Sequence, residues 1–121
     1  MVGGGEGAFI GAVHRSAAGL DNTLELVCGA FASDAERSRR SGANLGLPSD
    51  RCYADSASMF GAEAKLPAED RMEFVAIVTP NNLHLAVATA AFKKGFHVLS
   101  DKPATTTLAG CFELRDAQKG S

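Results

Sequence analysis

No stretch of this sequence approaches the roughly 20 consecutive apolar residues that cross a bilayer. No basic n-region precedes an apolar h-region, so no secretory signal is expected. Charge of one sign is also missing. Twelve Lys and Arg against fourteen Asp and Glu leave a net charge of -2. With a pI near 5.9, the surface gives no electrostatic reason to expect nucleic acid. Cysteine is scarce, and its three copies (Cys28, Cys52, Cys111) are odd in number and far apart. They suit reduced, mostly buried thiols in a cytoplasmic protein better than a disulfide framework or a zinc site. His14, His84 and His97 have no metal-ligand spacing, so no metal is expected. Internal repeats and low-complexity tracts are absent. What is present, 45% hydrophobic and 21% charged residues in 121, is the composition of one globular domain.

The most informative stretch is the first one, MVGGGEGAFIGAVH over residues 1–14. Glycine turns sharply at positive φ and approaches a ligand without a Cβ in the way. A glycine turn opening into a helix points free N–H groups at one spot, which suits a phosphate or pyrophosphate. The G-x-G-x-x-G dinucleotide pattern is met by Gly3 and Gly5, with Gly7 between them and the helix. Its third position falls on Ala8 by strict count, or on Gly11 in a longer loop, which is the preferred reading. Ala8, Phe9 and Ile10 then lie at the helix start, beside the expected cofactor. The same glycines would also suit a loose N-terminus.

The remaining chain alternates strand-like and helix-like segments. Met1-Val2 reads as the tail of a strand. Residues 8–20 read as a helix, with Phe9, Ile10, Val13, Ala17 and Leu20 on one face. Leu24 to Phe31 is a strand, and Ser33-Asp34 offers an N-cap to a polar helix through Arg40. Arg51 to Ala54 is a short strand, followed by a helix capped by Asp55 or Ser56 and running to about Lys65. Glu73 to Val78 reads as a strand buried on both faces. After the Thr79-Pro80-Asn81-Asn82 turn comes a helix with Leu83, Ala86, Val87, Ala90 and Ala91 at helical spacing. Lys93-Lys94-Gly95 stops it. Phe96 to Leu99 is a buried strand with His97 in the core, Asp101-Lys102-Pro103 ends it, and residues 105–119 form a last helix. Such alternation predicts α/β architecture: a three-layer, doubly wound parallel sheet of Rossmann type, with its first strand shortened. Ligands of such sheets sit outside the carboxyl ends of the strands. The loops at Gly3–Gly7, Ala32–Asp34, Thr79–His84 and Ser100–Pro103 are therefore expected to converge on one crevice.

Two of those strand ends, TPNNLH (79–84) and AFKKGFHVLSDKP (91–103), together with the opening glycines, resemble the cofactor half of the Gfo/Idh/MocA oxidoreductases. The resemblance covers nearly the whole chain. It implies a Rossmann domain over residues 1–121 that binds NAD or NADP, followed in relatives by a larger substrate domain. The implied activity is hydride transfer between nicotinamide and a CH–OH group of a sugar, cyclitol or related polyol. The family's Glu-Lys-Pro matches Asp101-Lys102-Pro103, which makes Lys102 the expected catalytic residue, lying by the nicotinamide and the substrate hydroxyl. Asp101 keeps the family's charge with a shorter reach. Thr79, Pro80, Asn81, Asn82 and His84 match the turn that borders the cofactor. Asn81 and Asn82 equally suit helix caps, and His84 equally suits a packed structural role. His14 matches the first helix's G-x-x-H, where a structural role is expected. At the second strand end, Asp34 would bond the ribose hydroxyls of NAD or serve as an N-cap. Ser33 with Arg37 would receive the 2′-phosphate of NADP, toward which the reading leans slightly.

The resemblance stops where the sequence does. Two residues precede the glycines where a Rossmann strand has more, and the family's substrate domain is absent. The chain is therefore expected to be a fragment, inactive alone, with an opened core and poor stability. In the longer parent, a homo-oligomer is expected. The reading from a different class is a non-catalytic Rossmann module that binds or senses a dinucleotide. Asp101-Lys102 favours the enzyme, and the missing substrate domain favours the module.

Overall fold

The computed structural model describes residues 1–121. The chain divides into two compact units, Met1–Met59 and Phe60–Ser121. Its strand pairings are parallel and its strands alternate with five α-helices, the Rossmann-type α/β class expected.

In the first unit, β1 is Val2–Gly3. Ala30 N donates to Met1 O at 3.0 Å and Gly3 N to Ala30 O at 2.9 Å. On the other side, Gly29 N donates to Arg51 O at 3.2 Å and Tyr53 N to Gly29 O at 2.9 Å. The strand expected over Leu24–Phe31 thus reduces to bridges at Gly29 and Ala30. That expected over Arg51–Ala54 reduces to a 3₁₀ turn, Ser49–Arg51, and a bridge at Cys52. A strand is defined by its neighbours' hydrogen bonds. The amine of Met1 donates to Cys28 O at 2.9 Å, and the residues before Cys28 have no ladder partner.

The helices of this unit are α1 (Phe9–Ala18) and α2 (Ala35–Asn44), and α3 (Ser56–Glu63) runs on from it. The core holds Val2, Cys28, Ala30, Phe31, Cys52 and Met59. The apolar face expected for α1 is not inside: Phe9 is 82% and Leu20 85% exposed, and the buried residue is Gly11. The reason is steric. A Cβ on Gly11 would overlap Gly4 Cα, so the helix's smallest side lies on the glycine loop and its larger apolar groups point away. Helix α2, which is polar, buries Ser38, Ser41 and Gly42. Ser38 Oγ accepts from Phe31 N at 2.8 Å and donates to Tyr53 O at 2.6 Å. Buried hydroxyls are tolerated when paired in this way.

In the second unit, β2 (Phe74–Val78) pairs with β3 (His97–Ser100), Phe74 opposite His97 through Ile77 opposite Ser100. Val75, Ile77 and Val78 are buried, while Phe74 and Ala76 are half-buried. The expected burial on both faces is therefore incomplete. The expected buried strand at Phe96 to Leu99 is corrected further. Phe96 is core, its ring 6.1 Å from that of Phe60, but His97 and Leu99 are exposed. The strand has one strand neighbour, and alternation turns these two side chains outward. Helix α4 is His84–Phe92 and α5 is Leu108–Lys119. Leu108 and Phe112 on α5 are 72% and 49% exposed. The helix starts at Leu108 rather than at 105 because Thr107 Oγ1 accepts from Gly110 N at 3.0 Å. Before it, Thr105 Oγ1 donates to Thr107 O at 2.7 Å.

Asp55 begins α3 as expected. Its carboxylate accepts from Ser58 N at 2.8 Å and Ser58 Oγ at 2.9 Å. These two bonds hold its pKa below the usual 3.8. A depressed pKa in the folded state stabilises above the unfolded value and loses that contribution as pH falls through the folded one. Asp55→Ala is expected to cost about 1 kcal/mol at neutral pH, the usual worth of an N-cap. In denaturant titrations the gap between the two proteins should narrow once pH drops below 3.8. A gap that widens in acid would contradict this assignment.

Candidate functional site

The glycine loop folds around positions where a side chain is excluded by a positive φ or by a close neighbour. Gly7 has φ +79°, and a Cβ there would find only Arg37 Nη2 at 3.9 Å. At Gly5 a Cβ would lie 2.8 Å from both Phe31 O and Ser41 Oγ. Gly11 meets Gly4 as described. Arg15 and Ser41, which the sequence reading missed, fix the loop from two sides. Arg15 Nη1 donates to Gly4 O at 2.8 Å, and Ser41 Oγ accepts from Glu6 N at 3.1 Å. An open pocket of about 260 Å³ borders the loop, with Arg15, Ser41 and Asn44 among its lining residues.

Ala8 is the residue before α1, and Gly11 is already the helix's third residue. The strict glycine count, not the longer loop, therefore describes the helix start, while Gly11 supplies the close packing. The α1 N-terminus has no side-chain cap and no acidic residue in its first turn. Its positive end is left for an anion. Gly3, Gly5, Gly7, Ala8, Phe9 and Ile10 are thus placed together at this end.

Ser33, Asp34 and Arg37 lie nearby, all exposed. Asp34 Oδ1 accepts from Arg37 N at 2.7 Å and caps α2. The Arg37 guanidinium donates to Glu6 O at 2.7 Å. Arg40 pairs with the Glu6 carboxylate at 3.4 Å, an exposed pair worth under about 1 kcal/mol.

In the second unit, Thr79 to His84 and Asp101 to Pro103 form one hydrogen-bonded group. His84 is 1% exposed. Its Nδ1 lies 2.7 Å from Pro103 O, and its Nε2 lies 2.9 Å from Thr79 O. The packed alternative for His84 is the observed one. Pro80, Asn81 and Asn82 are exposed, and Asn81 opens a 3₁₀ turn, Asn81–Leu83. Neither asparagine caps α4 through its side chain, so their cap reading is corrected. Thr79 Oγ1 is buried without a hydrogen-bond partner. Asp101 N donates to Ile77 O at 3.0 Å. Lys102 is exposed, and the Lys102–Pro103 peptide is cis.

Two of the three thiols are buried, Cys28 and Cys52, and Cys111 is exposed. Burial, and to a lesser degree the charge of Asp50, push the Cys52 thiol above its ordinary pKa. This makes it a poor nucleophile at neutral pH.

A family model described as an oxidoreductase family with an NAD-binding Rossmann fold matches residues 1–121. The chain belongs to the Gfo/Idh/MocA oxidoreductases. An uncharacterized oxidoreductase of Bacillus subtilis, YfiI, is 43% identical over 116 residues, 95% of this chain and 29% of that protein. An oxidoreductase from Sinorhizobium meliloti is 51% identical with a TM-score of 0.92, over all of this chain and 33% of its own. An inositol dehydrogenase homologue from Azotobacter vinelandii, solved with NAD+, is 42% identical with a TM-score of 0.93, over 99% of this chain and 30% of its own. The same homologue is known with NADH and myo-inositol. The chain spans about a third of these relatives' length. Dinucleotide binding is thus a family property. No helix is long and apolar enough to cross a membrane.

Two features of this chain fit a bound dinucleotide. One is the uncapped α1 N-terminus behind a glycine-rich loop. The other is the orphaned Thr79 hydroxyl at the end of β2. Gly11→Ala tests the first. Its methyl collides with Gly4 backbone, and overpacking of this kind costs about 1–3 kcal/mol. Denaturant midpoints should fall accordingly, and an unchanged midpoint would contradict the close approach.

Proposed function

We propose that this chain is the cofactor-binding part of an NAD-dependent dehydrogenase that oxidises a CH–OH group of a cyclic polyol or sugar. The observation that carries the reading is the glycine loop opening on an α-helix with no cap of its own. Backbone N–H groups at Gly7, Phe9 and Ile10 hold the pyrophosphate, Gly5 and Ala8 shape the loop through their own N–H bonds to Phe31 O and Gly5 O, and Gly3 leads the chain into the loop. Ser33 and the unused oxygen of Asp34 hold the adenosine ribose. Thr79, Pro80, Asn81 and Asn82 border the nicotinamide ribose, with the free Thr79 hydroxyl as donor. When bound, the nicotinamide takes up or gives back the hydride.

Lys102 holds the substrate oxygen. Its ammonium donates a hydrogen bond to the hydroxyl and stabilises negative charge there as the proton leaves. Asp101 sets the local charge beside it. The preference for NAD over NADP is supported by the two arginines nearest the second strand end. Arg37 is engaged by the Glu6 carbonyl and Arg40 by the Glu6 carboxylate. A 2′-phosphate would compete with Glu6 for these two guanidiniums. Substrate choice by an inositol-like ring is supported by the myo-inositol complex of the Azotobacter homologue.

The test uses this domain joined to the remainder of its parent enzyme. Formation of reduced nicotinamide is followed with myo-inositol and a panel of sugars, with NAD and NADP in turn. Turnover with NAD is expected. Lys102→Ala should lower kcat by roughly two orders of magnitude, the usual scale for a proton-transfer group, with little change in NADH affinity. Binding of NADH without turnover of any polyol would favour a dinucleotide-sensing module. Full turnover by Lys102→Ala would remove Lys102 from the chemistry.

A further inference from the structure

We infer that His84 is a positioning residue for the lysine turn. Through a ring N–H donated from Nδ1 to the carbonyl oxygen of Pro103, with Nε2 beside Thr79 O, it fastens the lysine turn to α4 and so fixes the backbone on which Lys102 stands. The inference rests on the proposed function only in giving Lys102 its task.

The geometry is specific. The imidazole is 1% exposed, and each of its nitrogens has a different chain segment as partner. Pro103 O lies 2.7 Å from Nδ1 and Thr79 O lies 2.9 Å from Nε2. Both partners are carbonyl oxygens, which only accept, so the ring must donate. A neutral imidazole carries one N–H and the imidazolium two. Removing the ring would leave the Pro103 carbonyl, next to Lys102 in sequence, without this bond. No other side-chain bond joins the two turns. At this end of the strands the backbone adds the bond from Asp101 N to Ile77 O at 3.0 Å.

The position on α4 supports the reading. His84, Val87, Ala88 and Ala91 form the buried stripe of that helix. An ordinary core would place an aliphatic residue at its head. A histidine there costs desolvation unless its N–H is hydrogen-bonded, and here an acceptor lies 2.7 Å from Nδ1. The stripe therefore begins with a group that bonds backbone rather than one that fills space.

The test needs three proteins besides the wild type: His84→Leu, His84→Gln and Val87→Ala, the last being a core truncation on the same helix that touches neither carbonyl by hydrogen bond. In the wild type, NMR should detect a His84 ring N–H coupled through the hydrogen bond to the Pro103 carbonyl carbon. Its absence would overturn the inference without any variant having to fold. Amide hydrogen exchange at Asp101 is then compared at matched global stability. His84→Leu should raise it at least tenfold over Val87→Ala, and His84→Gln, which keeps one donor, should recover part of the protection. Equal exchange in His84→Leu and Val87→Ala would reduce His84 to a packing residue. NADH titrated into the wild type reports separately on the proposed function. Its failure to bind would contradict that reading, while the ring coupling and the exchange contrast still decide His84.

Discussion

The structure of the glycine loop depends on one close approach, that of Gly11 to Gly4. Backbone lies on backbone there, and everything nearby follows. The helix α1 must present its smallest residues to the loop, so its apolar face turns out. Arg15, one turn further along, then reaches Gly4 O. Ser41 reaches Glu6 N from α2. A loop with four glycines has high chain entropy when unfolded, and each such residue costs more to order than any other. These two side-chain bonds and the Gly5 contact with Phe31 O offset part of that cost. What they produce is a helix end whose N–H groups have no partner from the chain's own side chains.

In the second unit the same economy of side chains recurs in another form. A single imidazole lies between the Thr79 and Pro103 carbonyls, beside the two strand ends that carry Thr79 and Lys102. The groups proposed for chemistry are the ones left over. Lys102 is exposed, and the Thr79 hydroxyl is buried and unbonded. A buried polar atom without a partner costs on the order of 1–3 kcal/mol. Such an atom at the carboxyl end of a parallel strand is placed where ligands of this fold sit.

The sequence made the glycine loop, the Asp34 and Asp55 caps, β2 and all five helices legible, because local chemistry decides them. It misjudged faces and neighbours. The periodicity of α4 was correct, but the buried stripe runs through His84, Val87, Ala88 and Ala91 rather than Leu83, Ala86, Val87, Ala90 and Ala91. A polar residue heading a core stripe is invisible without its acceptors. The α1 face was read by hydrophobicity, and packing reversed it at Gly11. The segment before Cys28 has strand composition but no ladder, since pairing is a property of two chains' edges. His97, expected in the core as part of a buried strand, is exposed because β3 has one strand neighbour and alternation turns it outward. At the site, Ser38, Ser41 and Arg15 went unread because serines and an arginine on polar helix faces usually meet solvent.

The central claim is that the α1 N-terminus and the loop before it receive the dinucleotide pyrophosphate. Amide chemical-shift mapping during an NADH titration of this chain tests it most directly. The account predicts the largest shifts at the amides of Gly5, Glu6, Gly7, Ala8 and Phe9, saturating together. Shifts confined elsewhere, or none at these amides in a folded chain, would contradict it.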